Sequence, residues 1–222
     1  MNWFSRLILI CILVQSASAQ SVVRSSETNK AVIWEPQLLL EFADDATPQP
    51  PPIPKEMIAS LLLSDVKVLL EETLMDTIQA KFGGEVGARG DASESLRWLC
   101  VHGVDEVGPW VLWLESGEID GPYIGGFQWR RLSGAATFDM RCASLPDTAK
   151  VVLPINLRLG TSREEVLNVL GKPTWQTANI FLYEHEHEET IRGEPYDSWN
   201  SVIIAIRNGV IEAIDVTKTT SN

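Results

Sequence analysis

The run Tyr183-Glu184-His185-Glu186-His187-Glu188-Glu189 sets two imidazoles two residues apart in an acidic stretch. Residues two apart on a strand share a face, so His185 and His187 are placed to grip one metal while the glutamates point away. Zinc needs a third or fourth ligand, for which His102, Asp197 or a hairpin glutamate are the candidates. The plainer reading is a solvated acidic strand end whose histidines alternate. No second histidine follows at the spacing of a helical H-E-x-x-H site. Ser64-Asp65-Val66-Lys67 spells S-x-x-K, the serine nucleophile motif of β-lactamases and penicillin-binding proteins, but no S-D-N or K-T-G accompanies it. A strand or helix edge is the simpler role. Arg89-Gly90-Asp91 lies among Gly, Ala and Ser and reads as a turn, and Glu115 and Glu118 flank another turn as exposed charge. There is no G-x-S-x-G elbow, Walker motif or dinucleotide-binding glycine pattern. The sequence therefore names no catalytic residue and implies no cofactor.

Aromatic residues are the stronger signal. The chain has 8 Trp. Trp110, Trp113, Tyr123, Phe127 and Trp129 cluster, and alternation puts Tyr123, Gly125, Phe127 and Trp129 on one strand face. Large rings beside glycines form a shallow contact surface, and Trp and Tyr dominate binding hot spots. The expected contact set is Trp110, Trp113, Tyr123, Phe127 and Trp129, with Trp175 and Trp199 further along the chain. Arg130 and Arg131 suit a partner carboxylate or form a solvated strand end.

These side chains sit in a 222-residue chain, 45% hydrophobic and 22% charged, a globular composition that excludes disorder throughout. The formal charge is −12, and such a surface repels nucleic acid and anionic lipid. Residues 1–19 read as a signal peptide: Arg6, the apolar run Leu7 to Val14, then Ala17-Ser18-Ala19. Cys11 follows Ile10 rather than a small residue, which argues against lipidation. No other apolar run reaches the ~20 residues of a membrane-spanning helix. The expected location is periplasmic or secreted. Cys100 and Cys142 then form an even pair that suggests one disulfide in an oxidising compartment, and the alternative is two buried thiols. Closing a loop of about 40 residues is worth roughly 4 kcal/mol in the chain-entropy picture. Residues 20–54 read as a tail whose Thr47 to Pro54 is a stiff polyproline spacer.

Beyond the tail an element order repeats. Leu157 to Pro173 reads L-R-L-G-T-S-R-E-E-V-L-N-V-L-G-K-P: Thr161 and Glu164 as a capping box, Val166, Leu167, Val169 and Leu170 as an apolar stripe, Gly171 as the stop. Leu69 to Gly84 follows the same grammar, with Thr73 and Asp76 at the start, Ile78 and Phe82 in the stripe and Gly83 at the end. Strands follow each helix at Arg97 to Cys100 and Trp110 to Glu115, and at Ile180 to Tyr183 and Val202 to Arg207. Ser116-Gly117 and Asn208-Gly209 supply turns into third strands from Ile119 and from Val210 to Thr217.

The helix motif followed by an aromatic strand and an Asn-Gly hairpin resembles the SmpA/OmlA outer-membrane assembly lipoproteins and the β-lactamase inhibitory proteins, over residues 155–218 and by pattern over 66–132. The resemblance implies an α+β fold of two tandem small units, each with helices packed on one face of an antiparallel sheet, over residues 55–150 and 151–222. It also implies a sheet surface presented to a protein partner. This chain departs from the lipoproteins in lacking a lipobox. The expected function is an exported, non-enzymatic protein-binding module, an envelope assembly factor or hydrolase inhibitor, whose partner is another envelope or secreted protein. The alternatives are a metal-binding protein using His185 and His187, and a purely structural module with every Trp buried.

Overall fold

The computed structural model describes residues 32–36, 58–91, 95–132 and 137–221. The signal peptide and the polyproline run lie outside the described residues.

The strands of the main sheet are β4 (Val86–Arg89), β5 (Leu96–Asp105), β6 (Gly108–Gly117), β7 (Gly126–Arg131), β11 (Trp175–Gln176), β12 (Ile180–Ile191), β13 (Glu194–Arg207) and β14 (Val210–Ser221). They lie side by side in the order β11-β12-β13-β14-β7-β6-β5-β4, each antiparallel to its neighbours. The short β9 (Ala143–Ser144) adds a ninth strand, parallel to β5. A three-stranded sheet is built from β10 (Val151–Val152), β2 (Ser60–Leu63) and β3 (Val66–Leu69). The strand β1 (Val32–Ile33) pairs with β8 (Thr137–Phe138). Helices α1 (Met75–Phe82) and α2 (Arg163–Leu170) complete the described elements.

This architecture overturns the expected fold class. Among the described residues 55% are strand and 10% helix, and the main sheet is continuous, so there are no two tandem helix-on-sheet units. The order helix then four strands does recur, but β7 and β14 pair through Ala213↔Arg130 to Thr217↔Gly126 and merge both sets into one sheet. The physical reason is visible in two apolar rows that cross the junction. One runs Leu99, Leu114, Phe127, Val216, Val202, Tyr183, and the next Val101, Leu112, Trp129, Ile214, Ile204, Phe181. All twelve are buried in one core with Met75 and Ile78 of α1, Val166 of α2 and Leu61, Leu63 and Val68 of the small sheet. Separating the halves would expose the middle of both rows to water. Gly126 permits the approach, because a Cβ there would lie 2.7 Å from the Val216 carbonyl oxygen.

The helices have two turns each, too short to hold themselves in water, and depend on this core. Gly83 and Gly171 end them at φ 82° and 79°, as expected from sequence. The caps differ. Ser162, not Thr161, is the N-cap of α2, accepting the Glu165 N–H at 3.2 Å. Thr161 instead accepts the Arg158 N–H, and Thr73 accepts that of Leu69, each closing the turn before its helix. Leu167 and Val169 are exposed, so the apolar stripe of α2 narrows to Val166 and the half-buried Leu170. Ser64 occupies the β2–β3 turn at φ 56°.

Candidate functional site

The sheet face turned away from the helices carries the polar chemistry. Pairing registers place two rows there. The first is Cys100, Trp113, Gln128, Asp215, Ile203, Leu182, Trp175, and the second Trp98, Glu115, Gly126, Thr217, Ser201, Glu184. Residues 32–36, expected to belong to a tail, pack over the β5–β6 end of this reverse face. Trp34 is buried edge-on to Trp98 with ring centroids 5.8 Å apart, its carbonyl accepts the Trp113 indole N–H at 2.9 Å, and the Arg141 guanidinium covers its ring at 4.1 Å. Cys100 and Cys142 form the expected disulfide in the same cluster, with Cα atoms 4.6 Å apart.

Two carboxyls occupy the centre of the reverse face. Burial raises Glu115 to about 8, helped by the charge of Asp215 and opposed by that of Arg89. Burial raises Asp215 to about 6, against a hydrogen bond from Gln128 at 3.2 Å. Glu115 Oε1 is shielded from solvent and has no hydrogen-bond partner, the condition in which a carboxyl keeps its proton. Sequence reading placed Glu115 at an exposed turn. It lies within β6, because the strand runs on to Gly117.

Of the aromatic contact set, Trp110, Phe127 and Trp129 are buried in the helix-side core, and Trp113 is buried under Trp34 on the reverse face. These four pack the interior and do not present a surface. Trp110 and Trp113 are three apart on a strand and so take opposite faces. Tyr123 is 40% exposed but precedes β7, bridged to Leu74, and does not share a face with Phe127 and Trp129 as a strand residue. Trp175 is half-buried on the outermost short strand. Arg131 is engaged by Asp105, with Nη1–Oδ1 at 2.7 Å and Nη2–Oδ2 at 2.8 Å.

Trp199 stands out. It lies in mid-strand on β13, paired on both sides with Glu186 and Thr219, yet is 37% exposed. Its face-sharing neighbours by register are Glu184, Glu186 and Glu188 on β12, Asp197 and Ser201 on its own strand, and Thr217, Thr219 and Ser221 on β14, with Glu186, Glu188 and Asp197 exposed. The strands that build this patch exceed the sequence expectation. The segment between the expected strands Ile180 to Tyr183 and Val202 to Arg207 is itself strand, folding back only at Arg192-Gly193, with φ 56° and 92°.

His185 and His187 do share a face, with ring centroids 4.9 Å apart. That face is the helix side, opposite the row residues Asn200 and Ser198. Asp197 lies on the reverse face, and His102 lies on β5 stacked on Phe138 at 3.7 Å, so neither joins them. Among the described residues no group of three or more His, Cys, Asp or Glu side chains gathers to hold a metal. His187 Nδ1 and Ser198 Oγ are buried without hydrogen-bond partners.

No family model, curated protein or solved structure matches this chain. The cystine and the lack, among the described residues, of a helix long and apolar enough to cross a membrane are compatible with an exported protein.

Proposed function

We propose that the chain is an exported, non-enzymatic protein-binding module, periplasmic or secreted, whose contact surface is the acidic ribbon around Trp199. The observation that carries this reading is one large ring, 37% exposed in the middle of a strand that is paired on both sides, bordered by Glu186 and Glu188 on β12, by Asp197 on its own strand and by Thr219 on β14. A tryptophan face bordered by carboxylates suits a Lys or Arg side chain, which gains a cation–π contact and an ion pair at once. The partner is therefore another envelope or secreted protein with a basic, partly apolar surface. The formal charge of −12 favours its approach and discourages nucleic acid. The motif resemblance of residues 155–218 to envelope assembly lipoproteins and to β-lactamase inhibitory proteins supports a binding role.

The test is affinity capture from envelope and secreted proteins of the source organism on immobilised residues 20–222, beside a Trp199→Ala variant with an unchanged unfolding transition. A basic protein retained by the wild type and lost from the variant supports the reading. Identical captures on both baits, or none, overturn it.

A further inference from the structure

Among the described residues, the outer edge of β12 is unpaired over most of its length. β11 pairs with it only at Phe181 and Leu182, and among the described residues no strand pairs beyond them. The direction of its backbone groups follows from three hydrogen bonds. Glu184 donates its N–H outward to Thr174 Oγ1 at 3.0 Å, and Ile180 accepts outward from the Thr177 N–H at 2.8 Å. Asn179 accepts from the Ile206 N–H at 2.7 Å, on the opposite, β13 side. Backbone groups alternate along a strand, so the N–H and C=O of Glu186, Glu188 and Thr190 point away from the sheet.

Resting on the function proposed above, we infer that this edge is a strand-addition site, and that the partner inserts an extended basic segment beside Glu186, Glu188 and Thr190. Strand addition draws affinity from main-chain hydrogen bonds and specificity from alternate side chains. Here the side chains that would flank the added strand on the reverse face are Glu184, Glu186 and Glu188, with Trp199 one strand further in. Lys or Arg at alternate positions meets a carboxylate at each step, and opposite charges across a strand pair stabilise it. A second copy of this chain is the poorest occupant, because edge-to-edge pairing of two β12 strands sets glutamate against glutamate. An apolar strand would cover carboxylates without neutralising them.

The probe is a capped nine-residue peptide alternating lysine and valine, titrated into folded residues 20–222. Beside it go a glutamate-for-lysine peptide and two N-methylated peptides, methylated on alternate residues in opposite phases. The expected result is binding of the lysine peptide, no binding of the glutamate peptide, and a loss of about tenfold or more for one methylation phase only. Amide exchange at Glu186, Glu188 and Thr190 slows on binding. Glu188→Pro removes an outward N–H without touching the β12–β13 ladder and reduces affinity by about tenfold or more. The charge reversal Glu186→Lys/Glu188→Lys keeps the backbone and transfers preference to the glutamate peptide. Equal binding of both methylation phases, or unaltered binding by Glu188→Pro, overturns the edge site. If Trp199→Ala still abolishes capture of the natural partner in that case, the binding-module reading stands without it. If the lysine peptide does not bind at all, the edge inference fails outright.

Discussion

Glu115 and Asp215 give the molecule its most legible dependence on pH. Both have folded-state values raised above the ordinary 4.5 and 3.8, so the native state holds protons that the unfolded chain has released. Their favourable contribution is complete below those ordinary values and is lost as pH rises through about 6 for Asp215 and about 8 for Glu115. Opposite behaviour comes from Asp139, held at about 2 by hydrogen bonds from Arg141, and from Asp105, which burial pushes up but Arg131 pulls down further; these weaken the fold only on strong acidification. The unfolding temperature is therefore expected to fall between about pH 5 and pH 8. Glu115→Gln should flatten that slope and raise stability at pH 8, and thermal scans across the range check both. A wild-type slope unchanged in the variant would remove Glu115 from the account. At the same scale, Trp199 should carry most of the emission of residues 20–222 that is quenched by neutral acrylamide, since Trp34, Trp98, Trp110, Trp113 and Trp129 are buried. Trp199→Ala should remove that quenching, leaving only what half-buried Trp175 supplies. Strand alternation made the shared face of His185 and His187 readable from sequence. It did not reveal that Phe127 and Trp129 face the core, because alternation says which residues share a face and not which face is covered.

At the scale of elements, the two glycine-ended helices and the Asn208-Gly209 hairpin were readable because each rests on local chemistry: a backbone of positive φ that glycine and asparagine adopt at little cost, with φ 53° and 79° across the hairpin turn. The cap was misplaced by one residue because Thr161-Ser162-Arg163-Glu164-Glu165 satisfies the capping pattern in two overlapping phases, and only Ser162 reaches the Glu165 N–H. Ser162→Ala is expected to lower stability by about 1 kcal/mol, read from the shift of the urea midpoint at constant slope. A cost confined to Thr161→Ala would restore the other phase. The polar extension of β12 and β13 escaped detection for a different reason. Both of its faces are polar, so it lacks the apolar alternation that marks a half-buried strand, and its pairing is held by backbone hydrogen bonds and by contacts such as Thr220 with Glu71 and Glu189. The candidate contact surface lies on that extension.

For the whole molecule, the deciding contact is the β7–β14 junction, which joins residues 126–130 to residues 213–217. Sequence pattern predicts strands well when their alternation is strong, but a strand that ends a sheet and one that continues into another carry the same alternation. Partner choice across such a separation depends on the complete core, so the repeated element order suggested two units where one sheet exists. The difference has a measurable consequence. Residues 55–150 alone would leave Phe127 and Trp129 at an uncovered edge and would lose Val202, Ile204, Ile214 and Val216 from the core that buries them. That fragment is expected to lack dispersed amide resonances and a cooperative melt, whereas residues 20–222 unfold in one transition with calorimetric and van't Hoff enthalpies in agreement. Gly126→Ala tests the same junction without truncation. Its Cβ must displace the Val216 carbonyl, a strain of about 1–3 kcal/mol. Because both apolar rows cross this point, the loss should appear as a lower midpoint of the whole transition rather than as a second step. A fragment that folds on its own, or a variant that splits the melt in two, would return the chain to two independent units. In that case the ribbon carrying Trp199 would be anchored by the second set of strands alone, and a partner gripping it would stabilise only that half. With the sheet continuous, the same partner should raise the single unfolding temperature of the entire molecule.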